Sequence, residues 1–475
     1  MNPRARRATR RATPSPSRPP SRLVAGGLLV AVGLAACEGL PQSAGPEIVI
    51  EPLQAPALLA FEETADPSLA IDPATGDLLL AWGAAGEEGS EGWDLHLVRS
   101  SDGGDTFGTP ARVNDRPGDL HPHAEGAPRL VAGPGVVSLF WNNRLEVEGR
   151  RFAASDLRYA RSLDGGKTWS PARNLQDPLA FEGLPPRANT FHGAALAGDS
   201  TLVVAWLDGR ERDARRLERG FAEGLDPVTV AATPEAFADE DDPHDGDASV
   251  FAAVSHDLGE SWEPENRRIS GNTCPCCRVE LLGTPEGAVL GAWRAHLDGS
   301  VRDPVIHTLL GEGAGSSAPR QIHEDGWVFP GCPHSGPALD FGPDGVLHAA
   351  WYTGAEGRMG VYHAARAPGA EAFSPPVPVV AGSSVGVANP GIAALDDGRA
   401  LVASNVAEDG RRVVVIALVS AEGGVLVSTE LSGSEGGTHP QLVRLPDGRV
   451  VAAWTTSAGG VQRVELARVS VGGMP

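Results

Sequence analysis

Four cysteines sit in two short stretches of this chain. Cys274, Cys276 and Cys277 lie within NTCPCCRVELL and Cys332 within GCPHSGPAL, against five cysteines in all. Thiols concentrated in this way support three chemistries. They can close two disulfides, one within 274–277 and one from that cluster to Cys332. Together with His334 they can ligate copper or zinc, softness favouring copper. Or one thiolate can act as a nucleophile, its pKa lowered by Arg278 or His334. Adjacent Cys276 and Cys277 on a strand point to opposite faces, so convergence of all four sulfurs demands a bulge. A second concentration of donors is acidic: ADEDDPHDGD, residues 238–247. Its carboxylates from Asp239 to Asp247 suit calcium, although the spacing is not that of an EF-hand loop, and a solvated acidic loop is the alternative.

The compartment bears on the thiols. Seven arginines and no acid precede an apolar run over residues 23–34, which ends in small residues before Cys37. That pattern is a secretory signal, and the run is too short to span a bilayer. Leu34-Ala35-Ala36-Cys37 resembles the lipobox of bacterial lipoproteins, which implies cleavage after residue 36 and a lipid on Cys37. The chain is then expected in an oxidising cell envelope, tethered on the periplasmic or surface side through residues 38–46. Removing residues 1–36 takes seven of 39 basic residues and none of 61 acidic ones, so the remainder is more acidic than the whole chain at −22. This balance excludes nucleic acid as a partner and leaves the lipid as the only membrane contact.

The elements that must position these groups are repeated. An apolar segment, a glycine-containing turn and a second apolar segment recur, as in DPSLAIDPATGDLLLAW, HGAALAGDSTLVVAW and HPQLVRLPDGRVVAAW. The second segment carries Trp82, Trp141, Trp206, Trp293, Trp351 and Trp454, with Ser404 in the sixth repeat. Period-2 patterning around DG, GD and PG turns reads as β-hairpins, and two further strands follow most of them. Four strands per unit, with no sustained helical period, predict an all-β propeller over residues 65–475. Units begin near residues 65, 124, 191, 273, 332, 387 and 438. Seven blades are preferred and six are the alternative, the long third unit being the suspect one. Residues 37–64 are a tether whose EIVIEPL segment can supply the missing outer strand of the last blade.

Between third and fourth strands stand SSDGGDTF, SLDGGKTW and SHDLGESW. These resemble the Asp-box, or BNR repeat, of the sialidase superfamily, with Asp102, Asp164 and Asp257 in the structural aspartate position. The resemblance implies a sialidase-like propeller whose Asp-boxes lie away from the active face. Retaining sialidases need three arginines, an acid/base aspartate and a tyrosine activated by glutamate. The family's early Phe/Tyr-Arg-Ile-Pro motif does not occur here, and among Tyr159, Tyr352 and Tyr362 only Tyr352 is placed for chemistry. The Cys-x-Cys-Cys … Cys-Pro-x-x-Gly-Pro pattern is also similar to that of exported sialidase-like proteins, which brings no established reaction.

Strand order alone sorts the candidates onto two rims. Residues opening each first strand share the rim opposite the Asp-boxes with residues leaving each second strand. The openings are Asp66, His121 and His123, His192, the Cys274–Cys277 cluster, Cys332 with His334, Asn389, and His439. Five of thirteen histidines fall in this one position, which points to a ligand-binding rim. The long segment after the second strand of blade three leaves the same rim and is placed to cover the channel mouth. Three functions remain open. The first is a monomeric propeller lipoprotein binding a small molecule, glycan or metal ion at the rim, without sialidase chemistry. The second is a divergent glycoside hydrolase acting on anionic sugars. Its clamp would draw on Arg129, Arg144, Arg210, Arg278 and Arg294, with Asp208 or Asp66 as acid/base and Tyr352 as nucleophile. The third is a protein-interaction scaffold.

Overall fold

A computed structural model describes residues 45–86, 92–148, 153–178, 187–284, 286–315, 318–382, 387–408, 410–420 and 422–472. The candidate signal segment, the lipidation candidate Cys37 and the start of the candidate tether lie outside these residues. From residue 45 onward the chain forms seven four-stranded antiparallel sheets. Their innermost strands are Thr64–Ile71, Arg129–Gly133, Asn189–Ala197, Glu280–Gly283, Ala338–Phe341, Pro390–Ala394 and Thr438–Arg444. These neighbour one another in order, and the seventh returns to the first, so the sheets are blades around a central channel. The long third unit is a genuine blade, and the propeller has seven.

Each second strand is buried on both faces because a neighbouring blade covers each side. The six tryptophans on these strands are completely buried and fill the space between blades. Ser404, in the equivalent place of blade six, is buried as well. The fourth strand of blade seven is Glu47–Leu53, which pairs antiparallel with the third strand from Glu47↔Gly472 to Leu53↔Leu466. Chain start and chain end thereby close the ring, and no blade is left one strand short.

The Ser-x-Asp-x-Gly turns lie at the far end of the strands from the rim. In each, the serine hydroxyl donates to the aspartate at 2.8 Å and accepts the glycine N–H at 2.8 Å. The same carboxylate then accepts the backbone N–H and hydroxyl of Thr106, Thr168 or Ser261. These bonds hold all three aspartates below the usual carboxylate range, Asp102 and Asp257 at about 2.

Blade three carries an insertion that hydrophobic periodicity does not announce. It contains helices α1 (Arg210–Ala222) and α2 (Pro227–Ala232). Asp226 caps α2 by accepting from Val228 and Thr229 N–H, and Pro227 follows at the first helical position, where no intrahelical N–H bond is needed. Helix α1 is mostly polar, with one short apolar row, Ala214, Leu217 and Phe221, set among five arginines and three acids. Glu211 ties it to Ser249 and Arg268 on the third and fourth strands of its own blade. These bonds fasten the start of the segment to the outer half of blade three.

Candidate functional site

The rim is built by a repeated backbone irregularity. In blades one, three and seven the register of the first two strands breaks between Ala65 and Ser68, Thr190 and Gly193, and Thr438 and Gln441. The first residue of each two-residue bulge has left-handed backbone: Asp66 at φ 56°, Phe191 at 55° and His439 at 49°. Asn272 and His334 at the same rim are left-handed too, at 47° and 51°. None is glycine, so each costs on the order of 1 kcal/mol, and such strain collects at functional sites.

This geometry corrects one expectation. His192 occupies the second bulge position, where blades one and seven have Pro67 and Pro440. Its ring turns into the interior, Nδ1 lying 3.1 Å from Asn142 Oδ1 and Nε2 3.1 Å from the Phe140 carbonyl. Each nitrogen has a polar neighbour, and burial pushes the pKa down to about 3, so the neutral ring donates to one of the two oxygens. The rim position itself belongs to Phe191, whose ring is 5.1 Å from that of His123 and packs against the cysteines.

The floor of the rim converges on Glu125, which sequence reasoning passed over beside His123. It sits in a one-turn 3-10 helix, Ala124–Gly126, and is 2% exposed. Glu125 Oε2 accepts the Arg278 N–H at 2.9 Å, and Oε1 lies 3.0 Å from His439 Nε2. Asn389, with its amide nitrogen facing acceptors, donates to Glu125 Oε1 and to the His334 carbonyl, both at 2.9 Å. Burial opposes ionisation of Glu125, but His439 and Arg278 outweigh it and hold the carboxyl at about 2. Asp66 stands beside this group and accepts the His123 N–H; burial pushes it up to about 6, against the pull of His439. Four rim candidates, Asp66, His123, Asn389 and His439, are thus brought together around an unforeseen carboxylate. His121 stands further out, its ring 6.2 Å from that of His123. The His123 and His334 rings are 6.4 Å apart, and burial lowers the His123 pKa to about 4.

Blade four enlarges the same bulge into the cysteine turn. Thr273 bridges Ala295 and Glu280 pairs with Ala292, so residues 274–279 stand opposite only Trp293 and Arg294. The first strand begins at Glu280, after the cysteines. Strand alternation therefore does not separate Cys276 from Cys277, and the sulfurs converge without the obstacle read from the sequence. Cys274 Sγ is 3.5 Å from Cys276 Sγ and 3.4 Å from Cys277 Sγ, and all three are buried. Cys332 is exposed and stands beside Cys274 and Cys276, whose thiols lower its pKa, but its sulfur lies outside the group of three that fall within 4.8 Å of one another. No S–S bond joins these four residues. Sulfur separations of 3.4–3.5 Å approach the ~3.8 Å edge of a tetrahedron with 2.3 Å zinc–sulfur bonds. Disulfide sulfurs stand about 2 Å apart.

The hydrolase candidates do not assemble. Arg294 donates to the carbonyls of Ser335 at 2.9 Å, Arg302 at 2.6 Å and Tyr352 at 2.8 Å, and is completely buried. Tyr352 is 3% exposed, with its ring edge-on to Trp327 at 5.4 Å. Asp208 is buried and bonded to Trp206 Nε1 and Arg210, which also pairs with Asp177. Arg144 is exposed and paired with Glu146. Arg129 and Arg278 both reach Glu280, and Arg278 and Glu280 line a channel cavity of about 290 Å³. Among the described residues no three of these arginines face Tyr352: Arg144 is paired locally, Arg210 and Arg294 are engaged elsewhere, and only Arg129 and Arg278 converge, on Glu280.

Three carboxylates of the acidic run serve the insertion itself. Asp245 is gripped by Arg216 and Arg219, Asp242 caps the His244 N–H, and Asp239 caps that of Asp241. These three carboxylates are committed to partners within the insertion, while Asp247 meets both His244 and His296.

No family model matches this sequence, and no curated protein does. Among solved structures, a PL25 ulvan lyase bound to a saccharide is similar at TM-score 0.52 and 12% identity, over 86% of this chain and 94% of that one. The BP39L lectin from Burkholderia pseudomallei is similar at TM-score 0.50 and 14% identity, over 85% and 98%. The Hadza microbial sialidase Hz136 gives 0.41 and 15%, over 72% of this chain and 63% of that one. The likeness is one of fold.

Proposed function

We propose that this protein is a lipid-anchored propeller of the cell envelope that binds a thiophilic metal ion, Cu⁺ or Zn²⁺, at its rim through Cys274, Cys276, Cys277 and Cys332. The observation that carries this reading is the convergence of three buried thiols within 4.8 Å of one another, with Cys332 beside them on the solvent side as the fourth donor to be drawn in. Four thiolates complete a tetrahedral set, and softness favours these ions over Mg²⁺ or Ca²⁺. The neighbouring well of Asp66, Glu125, Asn389 and His439 is polar and strained in the manner of a ligand site. A glycan is the second reading for that well, favoured by its carboxylate and amide acceptors and by a fold shared with a lectin and a lyase.

Elemental analysis of the purified protein, combined with a thiol count in denaturant and chelator, tests the metal reading. One bound equivalent and free thiols at 274, 276, 277 and 332 are expected. Absence of metal together with no free thiol among these four would mean that they are cross-links. Hydrolysis of a fluorogenic sialoside is expected to stay at background; turnover abolished by Tyr352→Phe would restore the hydrolase reading.

A further inference from the structure

The insertion of blade three ends in side chains that the fold does not require. His244 Nδ1 lies 2.8 Å from Asp247 Oδ2, and His296 Nδ1 lies 2.6 Å from Asp247 Oδ1. The two rings are 4.6 Å apart. One donor atom from each of the three residues falls within 4.8 Å of the others. Among the described residues, only this group and the three cysteines meet that test. His296 is 4% exposed, yet its Nε2 has no hydrogen-bond partner. His244 Nε2 has none either, though the exposed carboxylate of Asp298 lies 3.5 Å away. A structural histidine in the same protein differs: each nitrogen of His192 has a polar atom within 3.1 Å.

We propose that His244, Asp247 and His296 form a second metal site, which takes a divalent ion of the zinc class with Asp298 in reach as a further oxygen ligand. Two imidazoles and a carboxylate are the donors of zinc sites, whereas calcium takes oxygen alone. Asp247 reaches the Nδ1 atoms of both rings, so an ion held by these three residues would take the place of the two hydrogen bonds that now join them. His244 and Asp247 come from the end of the insertion; His296 and Asp298 follow the second strand of blade four. An ion here would clamp the insertion to the next blade. The site shares no ligand with the thiol turn, although both hang from one short ladder: His296 N–H donates to the Asn272 carbonyl, and Cys274 N–H to that of Arg294.

Cobalt separates the two sites, because thiolate ligation produces an intense near-ultraviolet charge-transfer band and nitrogen–oxygen ligation does not. Titration of the full chain with Co²⁺ and Zn²⁺ is expected to reveal a component without sulfur character. His244→Ala, a half-buried position on the insertion, is expected to remove that component and weaken zinc binding there at least about 100-fold. Any thiolate band should be left unchanged. Asp298→Asn, at a fully exposed residue, is expected to weaken it about tenfold. In a Cys274→Ser, Cys276→Ser, Cys277→Ser variant the sulfur-free component should remain. Lack of any sulfur-free component in the wild type, or its survival at full affinity in His244→Ala, overturns the proposal. Neither result depends on whether the thiols bind metal.

Discussion

Asp66 shows how much the rim demands of a single residue. Its backbone is left-handed, its N–H donates to the Thr455 hydroxyl at 2.9 Å, and its carboxyl is buried beside His439. The carboxyl titrates near 6 in the fold against an ordinary 3.8, chiefly through burial. The folded state therefore holds the proton more tightly between those values. Its stabilising effect is complete below about pH 4 and is lost as pH rises through about 6. Asp66→Asn keeps the shape and removes the titration. Urea unfolding at pH 4 and pH 6.5 should show the wild type losing on the order of 2 kcal/mol relative to the variant across that interval. Parallel pH dependence in the two proteins would refute the buried, proton-holding role. Residues of this kind were only half legible. Asp66 and His439 are legible because each opens the first strand of its repeat, whereas His192 is misplaced by a single position. A left-handed bulge shifts which of two adjacent residues faces the channel, and sequence does not display φ. Glu125 was missed for another reason: its partners Arg278, Asn389 and His439 come from blades four, six and seven, and no local pattern links them.

Elements were far more legible than sites, because a blade is made of neighbours in sequence. Hairpin patterning, buried tryptophans and the Ser-x-Asp-x-Gly turns all report contacts within one unit. The turn glycines show a further constraint. Gly104, Gly166 and Gly259 have φ of 97°, 92° and 80°, and each lies against the preceding blade. A Cβ there would fall 2.8 Å from Leu53 Cδ1, 2.4 Å from Leu97 Cδ2 and 1.9 Å from the Tyr159 hydroxyl oxygen, respectively. The turn thus serves as an inter-blade spacer as well as a hairpin connection. Gly166→Ala should cost about 2–4 kcal/mol, summing left-handed strain and overpacking against Leu97. Gly135, also at positive φ in a turn but with open space around its Cβ, should cost only about 1 kcal/mol as alanine. Equal midpoint shifts for the two variants in denaturant unfolding would show that blade contact contributes nothing.

At the scale of the whole molecule, closure decides whether seven marginal sheets become one body. Glu47–Leu53 is remote in sequence from Val461–Gly472, yet the two segments share a ladder that no other element can supply. The segment also brings apolar cover: Ile48 joins the core against blade six, and Leu53 joins the core against blade one. Arg468, nearly buried on the strand it covers, reaches Glu51 on the closing strand and Asp105 in the first Asp-box turn. Without this strand, Val461–Gly472 would present an open edge of unpaired N–H and C=O groups, the arrangement that templates association between chains. Removing residues 47–53 should therefore do more than subtract seven residues of contacts. The expected outcome is a chain that unfolds at lower temperature, with a broader transition, and that self-associates on size exclusion at micromolar concentration. Adding a peptide of sequence EIVIEPL should partly reverse the association by refilling the edge. A truncated chain that stays monomeric with an unchanged, cooperative transition would show that blade-to-blade packing alone holds the ring, and that closure by the outer strand is incidental to stability.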